Sequence, residues 1–266
     1  MIVALLQLIY ISREGISFVY PFNDIYHFIL NLGFASHWGF EYGHSFNAPV
    51  WSVSIEVLLY TIFFVTAFWG RGNLIFVLFI SIFSIILFKF YGNIILQGIS
   101  LFYLGGVVFH ITQLVSRDYQ FLKYFIWIFT ATIWLTVIIN FYVVDIANML
   151  RTYGSYGKIL LLIFTNYILF PITICCIALI EIERGEFLKR ISWIGDITYS
   201  SYLLHFPLQL FFALLVSYNI ISPDSYLNSG FFAIFFMILI PSSYVTYIKF
   251  ERPVQKMIRD HLLTYR

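Results

Sequence analysis

NLIFVLFISIFSIILFKF, residues 73–90, decides the fold. Only Asn73, two serines and Lys89 interrupt it. A helix packed on a soluble core would show polar residues at every third or fourth position. This run shows none of that striping, and its length suits the hydrocarbon core of a bilayer. Working outward, comparable runs lie at 50–69, 94–115, 124–144, 158–180, 196–217 and 229–248. The start differs. Residues 1–10 read as apolar, Ser12-Arg13-Glu14-Gly15 interrupts, and 16–36 carries Asn23, Asp24 and His27. That segment reads as a loop plus a short or interfacial helix. The chain is therefore predicted to be all-α, a polytopic transmembrane bundle of about 7–8 spans. One membrane domain covers 1–266, with 249–266 as a helical basic tail.

Composition excludes the other classes. Of 266 residues, 61% are hydrophobic and 11% charged. Soluble domains run nearer half apolar and a quarter charged. A soluble enzyme, a disordered chain and a peripheral amphipathic protein are all ruled out. The net charge of +2 offers nothing to nucleic acid. Cys175 and Cys176 are adjacent inside an apolar run, so they read as small packing residues rather than a bridge or a zinc site. Met1 runs into IVALLQLIYI without a basic lead, so no cleavable signal peptide is expected.

The charges predict an orientation. With the C terminus inside, the inner segments carry Arg71, Arg117, Lys123, Arg184, Lys189, Arg190, Lys249, Arg252, Lys256, Arg259 and Arg266. The outer segments carry only Arg151 and Lys158. Positive residues favour the cytoplasmic side, so the C terminus is expected there. Trp51, Trp69, Tyr91 and Tyr124 fall near predicted span ends, as an aromatic belt does.

Ionisable groups inside spans are costly and are functional candidates. Glu56 sits in FNAPVWSVSIEVLLY, residues 46–60. Pro49 suits a first helical turn. Asn47 or Ser45 is placed to cap it. Ser52, Glu56 and Tyr60 share one face at i, i+4 and i+8. The carboxylate lies about 9 Å in from the outer end at 1.5 Å per residue. It is either functional or a structural carboxylate pinning two helices. His205 sits in ISWIGDITYSSYLLHFP, residues 191–207. Thr198, Tyr202 and His205 line one face. Pro207 frees a carbonyl nearby, which polar groups or water must satisfy. A histidine there can carry protons, orient a substrate or bond a neighbour. His110, after Gly105-Gly106, reads as a packing histidine. His37 and His44 lack metal-ligand spacing. Phe250-Glu251-Arg252-Pro253 closes the last span. Glu251 and Arg252 are adjacent on a helix, so each needs another partner. No phosphate loop, HExxH or GxSxG pattern occurs.

Taken together, three blocks resemble the membrane acyltransferase-3 family, the multi-span enzymes that O-acetylate cell-surface glycans. Asn47-x-Pro49-x-Trp51-Ser52-x-Ser54-x-Glu56-x3-Tyr60 is similar to the family's first block. Ile197-Thr198-Tyr199-Ser200-x-Tyr202-Leu203-x-His205-x-Pro207 is similar to its second, with Thr198 where serine is usual. Phe250-Glu251-Arg252-Pro253 resembles its terminal block. The order and spacing fit over about residues 24–256. The front departs. The family's basic residue and leading histidine on a first span have no match in 1–35, so N-terminal spans are expected to be missing.

The resemblance implies a multi-pass protein of the cytoplasmic (inner) membrane. It implies an acyl-CoA donor, acetyl-CoA first, as a substrate rather than a bound cofactor, and no metal. The acceptor would be a hydroxyl of a glycan or lipid-linked saccharide. Glu56 and His205 would be catalytic. Asn47, Trp51, Ser52, Ser54, Tyr60, Tyr199 and Tyr202 would contact substrate. Glu251, Arg252 and Pro253 would be structural at the cytoplasmic face. Two other readings stand beside it. One is an inactive remnant or partner subunit, with a second chain supplying the missing spans. The other is a small transporter or flippase, for which no inverted repeat is visible.

Overall fold

The computed structural model describes residues 1–69, 72–144, 148, 152–186 and 188–264. Among these residues there is no strand. The helices are α1 (Ile2–Glu14), α2 (Ile25–Leu32), α3 (Val50–Phe68), α4 (Leu74–Tyr91), α5 (Ile94–Arg117) and α6 (Phe121–Ile139). They continue as α7 (Gly154–Ile163), α8 (Phe170–Arg184), α9 (Ser192–Ser217), α10 (Ser229–Thr246) and α11 (Arg252–Thr264). Phe164–Leu169 joins α7 to α8 with a π turn, and Tyr247–Glu251 joins α10 to α11 in the same way.

Seven helical stretches among the described residues are long and apolar enough to cross a membrane. They match the seven runs read from the sequence; most ends shift by a few residues, but the sixth helical stretch begins seven residues earlier, at Lys189, and the last runs thirteen residues further, to His261. The short helix expected within 16–36 is α2. At 13 residues, α1 is about 20 Å long and falls short of a bilayer core. Arg71, Arg151 and Arg266 of the charge count lie outside the described residues.

Large apolar side chains cover the outside, and several of the most deeply buried residues are polar. Gln7, Ser54, Ser100 and Ser243 are almost fully buried, while Phe68 is 88% and Ile75 80% exposed. Apolar side chains face outward where the solvent is lipid, and small polar residues lie between helices. The chain is thus an all-α polytopic membrane bundle.

The chain divides into two compact units. One comprises Met1–Leu58 and Lys189–Arg266, the other Leu59–Leu188, and the division falls within α3. The second unit is built on the α4–α5 hairpin. Gly92, at φ +64, ends α4 in the left-handed region that glycine enters freely. Asn93 then caps α5 by accepting the Ile95 N–H. Two buried serines clasp the pair. Ser81 Oγ donates to the Ser100 carbonyl at 2.9 Å, and Ser100 Oγ donates to the Ser81 carbonyl at 2.8 Å. Gly106 permits the close approach, since a Cβ there would lie 2.9 Å from Val77 Cγ1. His110 Nε2 donates to the Gly72 carbonyl at 2.8 Å, which ties a helix to its neighbouring turn. Cys175 and Cys176 are free and pack with Val108, Val115, Ile126 and Leu179.

The first unit combines both ends of the chain. Val3, Phe46, Phe206 and Leu210 form its core. Gln7 locks the segment after α1: Nε2 donates to the Phe18 carbonyl at 3.0 Å and Oε1 accepts the Phe18 N–H at 3.1 Å. Phe46, in the left-handed region at φ +49, is held by burial and by its N–H donating to Asn23 Oδ1 at 2.8 Å. A non-glycine residue holds that conformation only where its surroundings enforce it.

Candidate functional site

The site grows from one missing hydrogen bond. Pro207 lies inside α9 and has no N–H. The carbonyl four residues back, Leu203, therefore loses its helical donor. Asn47 Nδ2 donates to that carbonyl at 3.2 Å. The expectation that Asn47 or Ser45 caps α3 with its side chain is corrected here. Asn47 caps with its main chain, its carbonyl accepting the Val50 N–H at 3.0 Å. Its Nδ2 is turned to Leu203, its Oδ1 is buried with no hydrogen-bond partner among the described residues, and Ser45 Oγ accepts from Asn31 Nδ2 at 2.9 Å.

One turn along α3, Ser52 meets Tyr202. Their hydroxyl oxygens are 2.8 Å apart. Ser52 Oγ also lies 3.0 Å from the Pro49 carbonyl, which can only accept. The serine proton is therefore committed to Pro49, and Tyr202 donates to Ser52. The Tyr202 oxygen keeps its lone pairs for a further donor. The Tyr202 ring lies 5.7 Å from the His205 ring. Neither nitrogen of His205 has a hydrogen-bond partner among the described residues.

Tyr202 and His205 face a cavity of about 860 Å³. Thr198, Ser201, Tyr202, His205 and Gln209 form a polar wall along α9. Phe231, Phe232, Phe235, Phe236 and Leu239 of α10 form an apolar wall, and Tyr10, Phe18 and Tyr226 also line it. The volume suits a small-molecule site, apolar with a few convergent polar groups. The face predicted for Thr198, Tyr202 and His205 is this wall.

Ser200 Oγ donates to Glu251 Oε2 at 2.8 Å, and Gln255 Nε2 donates to Glu251 Oε1 at 3.2 Å. These are the partners that Glu251 needs. Arg252 and Pro253 are exposed at the start of α11. The Tyr199 phenol lies within electrostatic reach of Glu56 and Glu251. Glu56 is half-buried and is not among the residues lining the cavity.

The remaining predicted residues lie elsewhere. Ser54 is fully buried; its Oγ accepts the His37 N–H at 3.0 Å and its carbonyl accepts from Trp38 Nε1 at 2.8 Å. It holds the segment before α3. Trp51 stands edge-on to the His37 ring at 5.7 Å, and His37 stacks on His44 at 5.1 Å. Tyr60 belongs to the second unit and packs against Phe102.

Sequence reasoning missed a second polar assembly, on α2. Asp24 caps that helix, with Oδ1 accepting the His27 N–H at 2.9 Å. His27 is 1% exposed. Its Nδ1 contacts the Asp24 carboxylate at 2.9 Å, and its Nε2 accepts the Tyr42 N–H at 3.2 Å. The proton therefore sits on Nδ1, and His27 clips the loop rather than serving as a free base. The His27 main-chain N–H, followed by its side chain, holds the Asp24 carboxyl below the usual carboxylate range. The pattern D-x-x-H before an apolar octet was the readable signal. Gln7, a lone amide in the first apolar run, was the other.

Comparisons with protein-family models, with curated proteins and with solved structures each find no match.

Proposed function

We propose that the chain is an integral membrane O-acyltransferase of the acyltransferase-3 type. It moves an acyl group from a CoA thioester to a hydroxyl of a cell-surface or exported glycan, with its C terminus in the cytoplasm. One observation supports this reading above the others. Residues of all three blocks that resemble the family are joined by direct hydrogen bonds within the first unit, Tyr60 of the first block lying in the second. Asn47 and Ser52 of the first block bond Leu203 and Tyr202 of the second, and Ser200 of the second bonds Glu251 of the third.

The chemistry assigned to the site is simple. The acceptor oxygen attacks the thioester carbonyl, the new C–O bond forms and the C–S bond breaks. The hydroxyl proton must leave and the thiolate must gain one. His205, which faces the cavity and has no hydrogen-bond partner among the described residues, takes the proton and returns it to sulfur. Tyr202, with its proton committed to Ser52, accepts a hydrogen bond from the incoming hydroxyl and orients it. Glu56, one helical turn beyond Ser52 on α3 and outside the lining of the cavity, positions the acceptor from the α3 side. The apolar wall of α10 keeps water from the thioester.

Membranes containing the chain are supplied with labelled acetyl-CoA, and label in the glycan fraction is measured. Transfer is expected, and His205→Ala lowers it by about 100-fold or more. Absence of transfer from the intact chain with any acyl-CoA would overturn the reading. Unchanged transfer in both Glu56→Gln and His205→Ala would remove these residues from it.

A further inference from the structure

The last helix carries a binding surface of its own. The helical stretch Ser229–His261 has 33 residues. That is about 50 Å at 1.5 Å per residue, against about 30 Å of bilayer hydrocarbon. Residues 229–248 hold no charged side chain and fill the hydrocarbon; from Lys249 onward charges are frequent. So α11 lies beyond the hydrocarbon while remaining joined to a helix within it.

From Arg252 to Arg259 its residues are sorted by side. Arg252, Lys256 and Arg259 follow one another at i, i+4 and i+7, a sector of about 60° on the helix surface. Val254, Met257 and Ile258 lie on the opposite side. A helix that continued straight into water would gain nothing from that apolar side. Met257 is 66% and Ile258 52% exposed. Apolar residues on one side and cations on the other are the pattern of a helix lying in the headgroup layer. The bilayer is already in contact with α10, so it reaches α11 without a further partner. Two acids flank the cations, Glu251, which accepts from Ser200 and Gln255, and Asp260, whose Oδ1 lies 3.9 Å from Arg259 Nε; with Lys249, Arg252, Lys256 and Arg259 against them the stretch stays net positive.

We propose that α11 lies in the headgroup layer of the leaflet it emerges into, with Met257 and Ile258 turned toward the acyl chains. Its three cations bind anionic lipid headgroups. Surface potential supplies much of the attraction, so binding depends on lipid charge and on salt.

The test uses the full chain bearing Met257→Cys labelled with a polarity-sensitive fluorophore. The parent chain, with both cysteines buried, measures the labelling background. It is reconstituted in phosphatidylcholine and in phosphatidylcholine doped with phosphatidylglycerol. In the anionic vesicles the label is shielded from aqueous iodide and its emission shifts to the blue. Shielding falls as salt is raised. It falls again in the triple variant Arg252→Gln, Lys256→Gln and Arg259→Gln, with about a fivefold loss in partition ratio per cation removed. If the triple variant fails to insert, the salt dependence of the unaltered chain carries the test alone. Equal quenching in both lipids overturns the proposal. So does equal shielding of a label at Gln255→Cys, because a helix covered on all sides is packed on protein.

Discussion

Removing the Asn47 side chain should destabilise the protein only while residue 207 is proline. In the native chain the Leu203 carbonyl has one donor, Asn47 Nδ2 at 3.2 Å, because Pro207 supplies none. Asn47→Ala leaves that part-buried carbonyl unsatisfied. An orphaned buried acceptor costs about 1–3 kcal/mol. Hydrogen bonds between membrane helices average about 0.6 kcal/mol and reach about 1.7. A loss of about 1–2 kcal/mol is therefore expected, or roughly 2–6 °C in melting temperature for a chain of this size. Pro207→Ala restores an N–H in register with Leu203. In that background Asn47→Ala should cost under about 0.5 kcal/mol, since the carbonyl now has its helical partner. The four proteins form a double-mutant cycle with a coupling energy of about 1 kcal/mol or more. Thermal unfolding in a mild detergent, followed by tryptophan fluorescence, measures all four. Equal cost of Asn47→Ala in both backgrounds would refute the argument, because Asn47 would then act independently of the proline gap.

Ser52→Ala and Tyr202→Phe should each lower acyl transfer about five- to tenfold, the worth of one hydrogen bond in the barrier. The double variant should be no worse than the poorer single, and additive losses in transfer assays would show that the two hydroxyls do not work together. Gly106→Ala places a Cβ 2.9 Å from Val77 Cγ1 and should cost about 1–3 kcal/mol of thermal stability. Val77→Ala should recover part of it in the same melt. Asp24 is held below the usual carboxylate range by His27, so its bonds stabilise the α2 cap above about pH 4. That stabilisation is lost as pH falls through the lowered value. Hydrogen exchange of the Tyr42 amide should speed up in that acid range, and Asp24→Asn should remove the step.

The spans were legible because lipid asks little of a sequence beyond an unbroken apolar run. Residues 73–90 meet that demand without reference to any neighbour. The gap left by Pro207 was equally legible, since a proline always strips its own donor. What filled the gap was not, because Asn47 is 156 residues away and nothing local connects them. Ser54 shows the opposite case. It sits in a block that suggests substrate contact, yet its hydroxyl is taken by the main chain of His37. A spacing pattern gives a residue's face on its helix but not what that face meets. Gln7 was hidden for another reason. One amide barely alters the hydropathy of a run, while its two bonds to Phe18 order the whole segment after α1.

The 156-residue separation between Asn47 and Leu203 also has a meaning in time. A ribosome adding about 5–20 residues per second reaches Leu203 roughly 10–30 s after Asn47. For that interval α3 is already made and has neither Leu203 to serve nor Tyr202 to receive. A stalled or shortened nascent chain would display the unmet amide and the Ser52 hydroxyl at the edge of the bilayer.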